Sequence, residues 1–177
     1  MKLSTITRCA AATVALLLAP AIASAEAIND AQIAAIVVTA NQVDIDAGRL
    51  AAATTANAEV RKFAELMVTD HTGVNKAAVE LVTRLGVTPQ DSSTAQSLKA
   101  GGDANVAALK QAKGAAFDKA YVEHEVAYHQ QVLDAIDKVL IPSAQNKELK
   151  DLITKVRPAI AAHLEHAKHL QADLGKK

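Results

Sequence analysis

Between Asn29 and Leu174 the apolar residues recur in alternating steps of four and three, a rhythm that fits one face of an α-helix and no face of a β-strand. The clearest run is Val60, Ala64, Met67, position 71, Val74, Ala78, Leu81 and Leu85, which describes the seam of a helix bundle. Composition agrees with that reading. Of 177 residues 39 are Ala, while two Phe, two Tyr and no Trp leave little for a sandwich built on aromatic and β-branched pairs. Half of the chain is apolar, enough to bury a core. With 19 basic and 19 acidic side chains there is no basic excess to displace phosphate counterions, so nucleic acid is not an expected partner.

Residues 1–25 read as a cleaved secretory signal peptide. Lys2 and Arg8 precede an uncharged stretch that contains Leu16, Leu17 and Leu18, breaks at Pro20 and ends on Ala23-Ser24-Ala25, the small-x-small pattern of a cleavage site. Cys9 follows Arg8 at the start of the apolar run, whereas lipid attachment wants small or aliphatic residues just before the Cys at its end, and it is expected to leave with the leader. The expected product, residues 26–177, is one helical-bundle domain without cysteine, placed in the periplasm or at the envelope. Removing Lys2 and Arg8 leaves 17 basic against 19 acidic side chains. No later segment reaches the ~18 uninterrupted apolar residues that a spanning helix needs, so no transmembrane segment is expected in the mature chain.

Four long helices follow from the periodicity and its punctuation. The first starts at Asn29 or Asp30 and runs to about Thr54, with Ile33, Val37, Ala40, Ala47 and Ala51 on one face. The second runs from Asn57 to about Leu85 and stops at Gly86, with Pro89 beyond. Val87 to Gly114 reads as a crossover with one or two short helices, interrupted at Gly101-Gly102. The next long helix spans about Ala115 to Leu140, with Val122, Val126, position 129, Leu133, Ile136 and Leu140 in line, and Pro142-Ser143 turns the chain. The last spans about Gln145 to Leu174 on Leu152, Val156, Ile160, position 163, Ala167, Leu170 and Leu174, with an expected kink at Pro158. Two hairpins joined by a crossover define an all-α, up-down four-helix bundle of ferritin-like connectivity.

Positions 71, 129 and 163 in those seams are all histidine, and Asp44 holds the corresponding place on the first helix. At ~1.5 Å per residue, counted from the connecting turns, partners in each hairpin differ in level by about one helical turn. One polar layer near mid-bundle is therefore expected. A buried imidazole or carboxylate costs several kcal/mol unless it is paired, hydrogen-bonded or metal-bound. Asp44, His71, His129 and His163 are thus candidate ligands for a transition metal, with zinc, copper, iron or nickel favoured by imidazole plus carboxylate and no thiolate. Asp70, next to His71, and Glu125, four residues before His129, are candidates to support those ligands, and each fits equally well as an ordinary solvated acid. His124, His166 and His169 fall outside the seams; the polar face "HLEHAKHLQ" is read as solvated, and Phe117, Tyr121, His124 and Tyr128 as core edge.

"DIDAGRLAA", "EVRKFAELMVTDHT", "GAAFDKAYVEHEVAYHQQVL" and "RPAIAAHLEHAKHL" together resemble an exported bacterial family with a ferritin-like bundle, a domain of unknown function often labelled putative outer membrane protein. The resemblance covers nearly all of residues 29 to 172. Its most specific parts are Met67-Val68-x-Asp70-His71, Phe117-Asp118-x-x-Tyr121 leading to His129, and Pro158 followed by His163-Leu164. The family usually carries Glu where Asp44 and Asp46 stand, so the shorter acid here is expected to reach less far into the core. It brings no biochemical activity with it.

Di-iron bundles use a Glu-x-x-His pair on two helices, whereas Val68, Val126 and Ile160 stand three residues before His71, His129 and His163. Iron storage and oxygen activation are therefore not expected. The mature chain also has no Cys nucleophile, no His-Glu-x-x-His motif and no Gly-rich phosphate loop, so it offers no recognised catalytic constellation. Two readings remain: a periplasmic metal-binding protein, or a metal-free envelope or stress accessory whose histidine layer fixes helix register or senses acid pH.

Overall fold

The computed structural model describes residues 28–176, and the leader expected over residues 1–25 lies outside them. Helix α1 (Asp30–Thr54) starts in a reciprocal cap: the Asn29 side chain accepts from the Gln32 N–H at 2.9 Å and the Gln32 side chain from the Asn29 N–H at 3.0 Å. Asn57 caps α2 (Ala58–Leu85), which ends at Gly86 with φ of 65°, a conformation that only glycine adopts without strain. Asn146 caps the last helix in the same way. These ends lie where the sequence places them.

The crossover differs. It contains one helix, α3 (Ser93–Leu109), capped by Ser92 and continuous through Gly101-Gly102. Packing explains the second glycine: a Cβ on Gly102 would stand 2.6 Å from Val43 Cγ2, so its absence lets α3 lie close on α1. Gly102 is a point of close approach, and neither glycine breaks the helix. A second difference concerns α4 (Gly114–Ala135), which widens into a π-helical turn over Ile136–Leu140 before the single turn α5 (Ile141–Ser143). Pro142 has no N–H to close an ordinary turn on Lys138, and the chain widens just before it. The last helix, α6 (Lys147–Leu174), runs through Pro158, whose exposed position leaves the unpaired Thr154 carbonyl facing solvent. Its buried stripe begins on Leu149 and Ile153, while Leu152 and Val156 are only half-buried.

Among the described residues the protein is all-helical, with five long helices. α1 packs on α2, α4 on α6, α3 on α1, and α2 meets α6. Asp30 accepts from the Gln145 and Asn146 N–H groups at 2.9 and 2.8 Å, and the Gln90 N–H donates to the Ala31 carbonyl. The starts of α1, α3 and α6 therefore share one end of the molecule. No helix among the described residues is long and apolar enough to cross a membrane.

Two apolar clusters fill the interior. One is aliphatic, with Ile33, Ile36, Leu81, Leu133, Leu140, Leu149 and Ile153. The other carries the aromatic rings Phe63, Phe117 and Tyr121 beside Met67, Ala47, Ala51 and Leu170. On α1, α2 and α4 the residues of the two clusters are separated by Asp44, His71, Glu125 and His129, and His163 lies beside the boundary on α6. The expected mid-bundle polar layer is present.

Candidate metal centre

Helix periodicity delivers one imidazole from each of α2, α4 and α6 and one carboxylate from α1 to the boundary between the clusters. Ring centroids lie 5.7 Å apart for His71 and His129, 5.3 Å for His71 and His163, and 5.5 Å for His129 and His163. All three rings are buried, as is Asp44.

Each ring has one nitrogen committed and the other free. The Asn41 amide donates from Nδ2 to the Val37 carbonyl at 2.7 Å, which turns its Oδ1 toward His71 Nδ1, also at 2.7 Å. An amide oxygen only accepts, so His71 carries its proton on Nδ1 and presents a bare Nε2. His129 Nδ1 donates to the Glu125 main-chain carbonyl at 3.0 Å, and again Nε2 is left over. On α6 the polarity is reversed: His163 Nε2 pairs with the Asp70 carboxylate at 2.9 Å, and Nδ1 is the free atom. All three free nitrogens are buried without a hydrogen-bond partner among the described residues.

Asp44 closes the constellation. Its Oδ2 stands 3.0 Å from His71 Nε2 and 3.5 Å from His129 Nε2, and neither contact is aligned as a hydrogen bond. A lone pair facing a carboxylate oxygen at this range is repulsive unless a positive charge lies between them. Two donors about 2.1 Å from one ion stand about 3.0 Å apart at a right angle and about 3.4 Å apart at the tetrahedral angle. The observed separations match that spacing.

Burial and charge divide the two acids. Burial pushes the Asp44 carboxyl up, but the His71 and His129 rings when protonated, with a hydrogen bond from Glu125, outweigh it and hold it at about 2. Glu125 is pushed well above the ordinary carboxylate range by complete burial and by the neighbouring Asp44 charge, so it keeps its proton. Burial also lowers His129 and His163, against a partial opposing pull from Asp44 and Asp70 respectively, which favours the neutral, ligand-competent ring.

The structure brings the sequence candidates together in two overlapping groups: His71, His129 and His163, and Asp44, Glu125 and His129, each with ligand atoms within 4.8 Å of one another. Asp44 and His163 fall in different groups, so the four do not form a single set with one mutual spacing. Asp70 sits at the rim and orients His163 from α2. Glu125 is not a solvated acid: its side chain is 0 % exposed and 3.4 Å from His129 Nδ1. Sequence reasoning missed Asn41, although a buried amide three residues before Asp44, in the register of an apolar stripe, is a legible signal. It also set Tyr128 at the core edge; that residue is buried and its hydroxyl donates to the Ala40 carbonyl at 2.9 Å, tying α4 to α1 beside the site. His166 is exposed, with its ring edge-on to Phe63, and His169 is exposed as well.

An all-helical protein with a buried cluster of imidazoles and carboxylates between two apolar cores is the class that fold and site define. Residues 17–170 match the family DUF4142, a domain of unknown function, and the chain belongs to it. No match is found among curated proteins or among solved structures.

Proposed function

We propose that this protein is an exported, periplasmic helical bundle of ferritin-like connectivity that binds a transition-metal ion through His71, His129, His163 and Asp44. The observation that carries the reading is the bare-nitrogen arrangement: three rings, each with one nitrogen committed to an acceptor, turn the other, without a hydrogen bond, into a buried cluster beside the Asp44 carboxylate. Metal-bound imidazoles have this outer support, which fixes ring orientation and raises basicity. Asn41, the Glu125 carbonyl and Asp70 supply it here. Three nitrogens and one oxygen suit zinc, copper, iron or nickel. The signal-like segment at residues 1–25 supports export. The paired starts of α1, α3 and α6 support two hairpins joined through α3.

A metal-free layer is the second reading, favoured by the His163–Asp70 pair, which satisfies one ring without any ion. Elemental analysis of protein purified from the exported compartment separates the two. The expected result is about one transition-metal ion per chain in wild type and little in His71→Ala or His129→Ala. Equal content in all three, with circular dichroism showing all three folded, would leave the metal-free layer standing.

A further inference from the structure

A cavity of about 400 Å³ opens on one side of the histidine cluster, within the range of small-molecule pockets. Its inner end is formed by Asp44, His71 and His129. The walls are mainly apolar, with Thr94, Ser97 and Gln131 as polar exceptions, and are built from Leu98 of α3, Val132 and Ile136 of α4 and its π turn, and Leu152 and Val156 of α6. These last two explain themselves: they leave the buried stripe of α6 because they face the cavity. The π turn borders the outer end, where Val139 is 43 % exposed. Such widened turns recur at ligand sites.

The slot is mainly apolar and carries its one carboxylate at the histidine end. From His129 to Leu140 the lining follows α4 for about 16 Å at 1.5 Å per residue, the length of an extended alkyl chain of about a dozen carbons. Among the described lining residues there is no Lys or Arg, and Asp44 is the one carboxylate. A divalent ion held with Asp44 carries one uncompensated positive charge, in an apolar surrounding where charge must be matched. Three imidazoles and one carboxylate leave positions open on an ion that takes five or six ligands.

We propose that the cavity binds a medium-chain aliphatic carboxylate, its head on the metal and its tail between α3, α4 and α6. This rests on the metal reading above. The ligand's carboxylate supplies the missing negative charge, and its methylenes replace water against Leu98, Val132, Ile136, Leu152 and Val156, each buried methylene contributing ~0.8 kcal/mol.

The test is calorimetric titration of the full-length mature protein, first with zinc and then, after dialysis, with dodecanoate, dodecanol or dodecylamine. Dodecanoate is expected to bind the zinc-loaded protein, and the metal-free protein about tenfold or more weakly. Gly101→Phe and Val156→Phe, which fill the slot from α3 and α6, are expected to weaken dodecanoate binding about tenfold while zinc uptake is unchanged. A Cβ on Gly101 meets nothing within 4 Å, so that side chain starts in open space, and circular dichroism together with zinc uptake checks that both variants are folded. Zinc uptake without zinc-dependent dodecanoate binding, or tighter binding of dodecylamine than of dodecanoate, would overturn the carboxylate inference and leave the metal site intact. Absence of zinc uptake would overturn both.

Discussion

The two halves of the interior are built from the same helices and differ in how they are filled. Below the histidine layer, Phe63, Phe117 and Tyr121 pack with Met67 and small residues from α1 into a core whose rings are at most 1 % exposed. There the end of the hairpin is fastened as well: Arg61 donates to the Ala52 and Thr55 carbonyls, and the Thr55 hydroxyl to the buried Asp118 carboxylate. Above the layer the core is aliphatic, the π turn widens α4, and about 400 Å³ is left open. The contrast teaches that the polar layer is sealed from one side and reached from the other. One half gives stability, and the other gives access.

The largest expected effect lies in the sealed half. Phe63→Ala should cost about 3–5 kcal/mol in urea unfolding of the metal-free protein, because a fully buried ring leaves a cavity that cannot collapse. Leu152→Ala, on the cavity wall, should cost clearly less, since its side chain already borders open space. Equal losses would abolish the distinction between the halves. Next in size is ligand linkage: zinc at a hundred times its dissociation constant should stabilise wild type by about 2.7 kcal/mol, and His71→Ala by almost nothing. Thermal unfolding with zinc and with a chelator reads that difference.

Gly102→Ala should destabilise by about 1–3 kcal/mol, because its Cβ would meet Val43 Cγ2 at 2.6 Å, whereas Gly101→Ala should be neutral or stabilising by up to about 1 kcal/mol. If both glycines behaved alike, the close approach of α3 to α1 would not be what the pair serves.

The smallest expected effect concerns pH in the metal-free state. Glu125 is raised above its unfolded value, so its contribution is fully present below about pH 4.5 and is lost as pH rises toward its folded value. Glu125→Gln should therefore be more stable than wild type at pH 7–8, with the gap closing toward pH 4.5. His129 and His163 are lowered, so their contribution is present above about pH 6.5 and is lost as pH falls through that value. Asp44, held at about 2, keeps its contribution until pH falls below about 4. Denaturant midpoints measured from pH 4 to 8 would show whether Glu125→Gln removes the alkaline loss.

The helices and the layer were legible because both depend on local register. A step of three or four residues places His71 between Met67 and Val74 whatever lies opposite, and Asn29, Asn57 and Ser92 announce helix starts by chemistry that stays within one turn. What failed depends on partners far along the chain. Gly101-Gly102 looks like a break on propensity alone, and the role of Gly102 as a contact shows only when Val43 arrives from α1. Glu125 looks solvated on its own helix, and its burial follows from the helices around it. Leu152 and Val156 obey the seam rhythm yet border a void, which no periodicity within α6 can report.

The central claim is that three imidazoles turn bare nitrogens into the cluster, and the tautomers themselves test it most directly. Long-range proton–nitrogen correlation spectra of the metal-free protein at pH 7.5 should show the Nδ1–H form for His71 and His129 and the Nε2–H form for His163. Added zinc should then shift Nε2 of the first two and Nδ1 of the third. Imidazolium or Nε2–H forms at His71 and His129, unchanged by zinc, would contradict the account.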